Sequence, residues 1–95
     1  DKAARLAPHD PKPPYHRGNV LAATDRIDEA ITAYDAAIAR AADFAPAYFN
    51  RGVLKLRLGN VAAAVADIRT AQRLGSDVPP ELKKLLERGP EEAAR

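Results

Sequence analysis

The 95-residue chain has no cysteine, no methionine and no tryptophan, and only 5% of its residues are aromatic. Without cysteine, disulfides, thiolate metal sites and cysteine nucleophiles are excluded, although a lack of thiols fits a reducing or an oxidising compartment equally. No apolar run approaches the roughly 18 residues needed to span a bilayer, and no charged-then-apolar leader opens the sequence. The chain reads as soluble, with the cytoplasm slightly favoured. Methionine is missing even at the start, and Asp1 is not the small residue that follows a removed initiator, so a fragment or processed product is expected.

What fills the chain is alanine, about a fifth of all residues within a hydrophobic share of 46%. Short side chains of high helix propensity favour close-packed helices over a bulky core. A chain of this length buries only about 60 to 65% of its unfolded surface, so stability has to come from stacking. The formal charge is +2, unevenly spread: residues 11–44 carry four basic and five acidic groups, residues 45–78 five and two. That local excess can steer an acidic partner at low salt, but it is not the dense Lys/Arg stripe of a nucleic-acid binder. Helical repeats that read RNA bases also come in longer arrays, so nucleic acid is disfavoured as a partner.

Gly18 and Gly52 lie 34 residues apart, and so do Arg17 and Arg51, Ala30 and Ala64, and Ala37 and Ala71. A fixed period of this size marks supersecondary units that cannot bury their own apolar faces and therefore stack into a scaffold. Pro13 or Pro14 predicts the start of a first helix running to about Thr24, and Pro46 the start of its counterpart, running to about Leu58. Gly59 and Asn60 form the next turn, with Asn60 as N-cap, and residues 24–26 form the equivalent turn. Second helices are predicted over residues 27–42 and 61–74, where Ile27, Ile31, Tyr34 and Ile38 are matched by Val61, Val65, Ile68 and Gln72. Gly75 supplies a left-handed cap. Pro79 and Pro80 restart a helix carrying Leu82, Leu85 and Leu86 on one side, which Gly89 and Pro90 stop.

This pattern resembles the tetratricopeptide-repeat family, whose unit is two antiparallel helices. Gly18 and Gly52 match its small residue at the close helix crossing, Ala30 and Ala64 the small residue opposite, and Ala37 and Ala71 the one facing the next repeat. A larger side chain at a close crossing would push the helices apart. Tyr48 matches the large residue early in the first helix, and Tyr34 and Ile68 the large one late in the second. Pro14 and Lys55 replace aromatics of the pattern, and Ala42 and Ser76 replace its closing proline, kept only at Pro8.

The resemblance implies an all-α, right-handed α-solenoid of antiparallel hairpins. Repeat one covers 11–44, repeat two 45–78, a capping helix 79–89 and a frayed tail 90–95. Residues 1–10 become the tail of a truncated preceding repeat and its turn, since Ala3 falls where Ala37 and Ala71 lie and Leu6 where Arg40 and Leu74 lie. Leu86 takes the place of a third small residue, which makes the last helix a cap.

The family's first helices line a concave groove that holds a peptide or helix of a partner, so the resemblance implies a non-catalytic protein–protein interaction module. The corresponding residues are Tyr15, Asn19, Ala22 and Ala23, then Phe49, Asn50, Val53, Leu56 and Arg57, with Lys84 on the cap. Phe49, Val53 and Leu56 recur at i, i+4 and i+7, an apolar stripe shared between packing on the neighbouring first helix and contact with a ligand. Co-chaperones of the family clamp a terminal carboxylate with two Lys, two Asn and a further basic residue. Asn19, Asn50 and Lys84 match, but Tyr15 and Pro80 replace the two lysines, each of which supplies about 1.5 to 3 kcal/mol of charge-assisted bonding. A chaperone clamp is therefore not expected.

Arg17 and Arg51 are read as stems lying over the helix pair with their heads in water. Asp25, Asp28 and Glu29 are read as helix capping. His9 and His16, the only imidazoles, are separated by a proline-rich turn with no carboxylate at ligand spacing, so no metal site is expected. With no Gly-rich phosphate loop either, neither cofactor nor catalysis is expected. Two other readings stay open: an assembly or self-association segment of a longer repeat protein, and a helper domain of an enzyme whose catalytic part lies elsewhere.

Overall fold

The computed structural model describes residues 9–93. The readings of Ala3, Leu6 and the last two residues lie outside them. Five helices are found there, α1 (Lys12–Ala23), α2 (Ile27–Arg40), α3 (Ala45–Arg57), α4 (Val61–Arg73) and α5 (Pro80–Ala93). None is long and apolar enough to cross a membrane.

The prolines open α1 and α3 from inside their first turns, where a missing N–H leaves no bond unmade. Three helices close with one device. The chain passes through a positive-φ residue, Asp25 (64°), Gly59 (85°) or Gly75 (108°). The following amide then returns to the helix: Arg26 N to Leu21 O at 2.8 Å, Asn60 N to Lys55 O at 2.9 Å, and Ser76 N to Ala71 O at 2.9 Å. Asp25 is thus not a cap of α2, as its place beside Asp28 and Glu29 suggested. It holds the left-handed position that glycine holds one repeat later. Asn60 does cap α4, its Oδ1 accepting from Ala63 N at 3.4 Å.

Helix α5 is not stopped by Gly89 and Pro90, as their sequence position predicts, but continues through them to Ala93. Pro90 has no N–H to give the carbonyl of Leu86, a loss that ordinarily breaks or kinks a helix. Arg69 supplies the missing donor, its Nη2 bonding to that carbonyl at 2.5 Å. The same contact ties α4 to α5.

Helices α1 and α2 form one hairpin and α3 and α4 another, with α2 packed on α3 and α5 on α4. At the first crossing, a Cβ on Gly18 would lie 2.6 Å from Cε1 of Tyr34. At the second, one on Gly52 would lie 2.8 Å from Cγ1 of Ile68 and 3.1 Å from the carbonyl oxygen of Ala64. Neither distance admits a methyl group, so glycine sets how closely each pair approaches. Ala30, Ala37, Ala64 and Ala71 are fully buried beside them. One core cluster joins α2 to α3 through Tyr34, Ala47 and Leu54. The other joins α4 to α5 through Val65, Ile68, Val78 and Leu86, so the last helix covers the apolar side of the second hairpin.

Candidate functional site

Two open clefts flank α3. The first, about 280 Å³, lies between α1 and α3 and is lined by Asn19, Ala22, Phe49, Asn50, Val53 and Leu54, with Tyr34 behind them. The second, about 500 Å³, lies between α3 and α5; its wall is Leu56, Pro80, Leu82 and Leu85, and its rim Glu81, Lys84 and Arg88. The residues singled out in sequence therefore divide. Asn19, Phe49, Asn50 and Val53 share the first cleft, while Leu56 and Lys84 belong to the second.

Tyr15 is not among the residues lining the first cleft. Its ring meets Phe44 edge-on at 5.1 Å and Tyr34 at 5.9 Å, so its body is core packing. Arg57 is drawn away to Asp25, 3.2 Å distant, and both side chains are exposed. A surface pair of this kind contributes little. Ala23 is exposed and lines neither cleft.

A polar network floors the first cleft. Tyr34 Oη donates to Asn19 Oδ1 at 2.6 Å, and Asn50 Nδ2 donates to the same oxygen at 3.0 Å and to Tyr15 Oη at 3.2 Å. Burial pushes the Tyr34 hydroxyl above its ordinary pKa, with the Asn50 contact pulling partly back. Among the described residues, Asn19 Nδ2 donates and Asn50 Oδ1 accepts no protein hydrogen bond, and no buried side-chain nitrogen or oxygen lacks a partner. One donor and one acceptor are thereby left open beside the apolar wall of Phe49 and Val53.

Arg51 does not hold its head in water. Its Nε and Nη2 fork the Asp67 carboxylate at 2.8 and 2.7 Å, and its Nη1 bonds Asp35 at 2.8 Å. Lys55 reaches Asp67 at 3.1 Å. The bonds to Asp67 hold the guanidinium even more firmly protonated than usual, against the opposing effect of burial. This network braces α2, α3 and α4 and lines neither cleft. A cue was present in sequence: Asp67 is a lone acid between Val65 and Ile68 on an apolar helix face. Among the described residues Arg17 has no such partner, and Ala33 stands where Asp67 stands one repeat later.

The carboxylate-clamp positions do not converge. Asn19 and Asn50 face one cleft and Lys84 the other. Among the described residues, no three His, Asp or Glu side chains gather as a metal site would require.

Comparison with known families gives two overlapping matches: the pattern described as TPR repeat matches residues 18–59, and that described as tetratricopeptide repeat matches residues 45–75. No match to a curated protein was found.

Proposed function

The chain belongs to the tetratricopeptide-repeat family, and we propose that it is a non-catalytic module that holds a peptide or helix of a partner protein across α1, α3 and α5. Repeats of this family generally mediate protein–protein contact. The observation that carries the reading is the α1–α3 cleft, where an unpartnered amide donor and acceptor stand beside Phe49 and Val53. A peptide group offers the complementary acceptor and donor, and its side chain can settle on the apolar wall. Main-chain bonds then give affinity and the wall gives selectivity.

Selection from a random peptide library against the 95-residue chain tests this directly. Selected peptides should bind Phe49→Ala about tenfold more weakly, as expected for loss of an aromatic anchor, while circular dichroism shows the helices intact. Equal affinity for chain and variant would sink the groove assignment.

One observation favours self-association as a second reading. Val20 is 63% exposed, whereas Leu54, at the same place one repeat later, is 4% exposed because it packs in the cluster that joins α2 and α3. The equivalent face of α1 is suited to cover by a further hairpin, including one from a second copy. Sedimentation at several concentrations decides, and a strict monomer counts against it.

A further inference from the structure

We infer that the α3–α5 cleft selects a peptide whose apolar residues are flanked by internal carboxylates; this rests on the groove reading and specifies its ligand. The wall of that cleft is Leu56, Leu82 and Leu85, all only half-buried in the free chain, so it offers apolar surface for a ligand to cover. The rim is cationic. Lys84 and Arg88 stand one helical turn apart along the cleft, and the only acid among the lining residues is Glu81, in the first turn of α5. A carboxylate there also answers the positive end of the helix dipole.

Neither Lys84 nor Arg88 lies within 4.0 Å of an Asp or Glu oxygen of residues 9–88, over which side chains are described, unlike Arg26, Arg51, Lys55 and Arg57. A ligand carboxylate beside Leu82 and Leu85 would meet them next to an apolar wall, where charge pairing is stronger than in open water. The other cleft has no cation among its lining residues. A segment crossing α3 from Asn50 to Leu56 thus moves from a neutral amide-lined floor to an apolar cleft with a positive rim. The ligand class follows as an extended peptide whose apolar residues are flanked by Asp or Glu side chains. Asn19 and Asn50, which would share a chain-terminal carboxylate with a basic residue, line the other cleft, so the carboxylates assigned to this rim are side chains and need no free chain terminus.

The test uses three synthetic peptides, acetylated and amidated to remove terminal charge, with one apolar sequence flanked by Glu, Gln or Lys. Binding to the 95-residue chain is followed by fluorescence anisotropy. The Glu peptide should bind about tenfold more tightly than the Lys peptide, with Gln between, and the gap should shrink as added salt shortens the screening length. Lys84→Glu/Arg88→Glu should reverse the order. Lys84→Gln/Arg88→Gln, which leaves α5 less perturbed, should abolish it. Phe49→Ala should weaken all three peptides alike. Equal binding of the three with retained dependence on Phe49 overturns the charge inference and leaves the groove reading standing. A preference for Glu that survives both double variants also overturns it. Absence of binding by any of the peptides counts against both.

Discussion

The two hairpins solve one crossing problem with different chemistry. In α1–α2 the glycine is closed over by an aromatic ring, Tyr34, whose hydroxyl is bound by Asn19 in an uncharged network. In α3–α4 the glycine is closed over by Ile68, and the polar contact beside it is the fork of Arg51 on Asp67, the latter only 8% exposed in its side chain. The backbone path is shared while the polar bracing is not. The lesson is that small residues at the crossing specify the repeat, and the residues around them are free to differ as long as each buried polar group is partnered.

The comparison breaks first at the charged hairpin. Asp67→Ala should cost about 3 to 5 kcal/mol in urea unfolding, because Arg51 and Lys55 would be left partly buried without their shared carboxylate. An Arg51/Asp67 double-mutant cycle should recover much of that loss, and additive single effects would refute the coupling.

Next come the glycines. Gly52→Ala should destabilise by about 1 to 3 kcal/mol, since the new methyl meets the carbonyl of Ala64 as well as Ile68, and backbone cannot give way. Gly18→Ala meets first the Tyr34 ring, a side chain and not backbone, and should cost less, with about 1 kcal/mol of helix propensity returned in both variants. Thermal melts of the two variants compared side by side would settle the order.

Smaller still, Tyr34→Phe should cost about 1 kcal/mol at neutral pH by removing one donor from Asn19. Burial holds the folded Tyr34 pKa above its unfolded value. The folded state therefore keeps a proton that the unfolded state gives up, and stability falls as pH rises above about 10. The Phe variant should lack that part of the alkaline loss. Below that range the ionisation contributes no slope.

The smallest effect is expected at the turns. Asp25→Gly would copy the turn of the second hairpin and relieve a left-handed Asp, at the expense of greater freedom in the unfolded chain and the exposed pair with Arg57. A net change below about 1 kcal/mol is expected, and a larger loss in a chemical melt would show that the pair with Arg57 matters more than its exposure suggests.

Much of the architecture was legible because it follows from local rules and a repeated spacing. Proline in a first turn marks where α1 and α3 begin, Gly59 and Gly75 mark where α3 and α4 end, and recurring small residues mark the crossings. The misread residues are those whose partners are distant in sequence. Nothing near Arg51 reveals that Asp67, 16 residues on, lies within 2.7 Å of it. Asp25 resembled a cap because acids cluster there, yet its backbone conformation follows from how α1 ends. Pro90 resembled a stop because the donor that replaces its missing N–H comes from Arg69, on another helix.

The candidate site shows the same division. Phe49, Asn50 and Val53 could be placed on one face of α3 from helical spacing alone, and Asn19 on the equivalent face of α1. That Asn19 and Asn50 share a hydrogen bond, that Tyr15 is taken into the core and that Leu56 and Lys84 face a separate cleft depend on how the helices cross.

By itself the sequence determined the period, the helical class and the close approach of each pair, since these are set by backbone rules and by the volume of single side chains. The tertiary structure alone decided which charges are paired and which amide atoms stay open to the cleft. Hydrogen bonds and ion pairs form between atoms a few ångströms apart, and only the packed helices fix those distances.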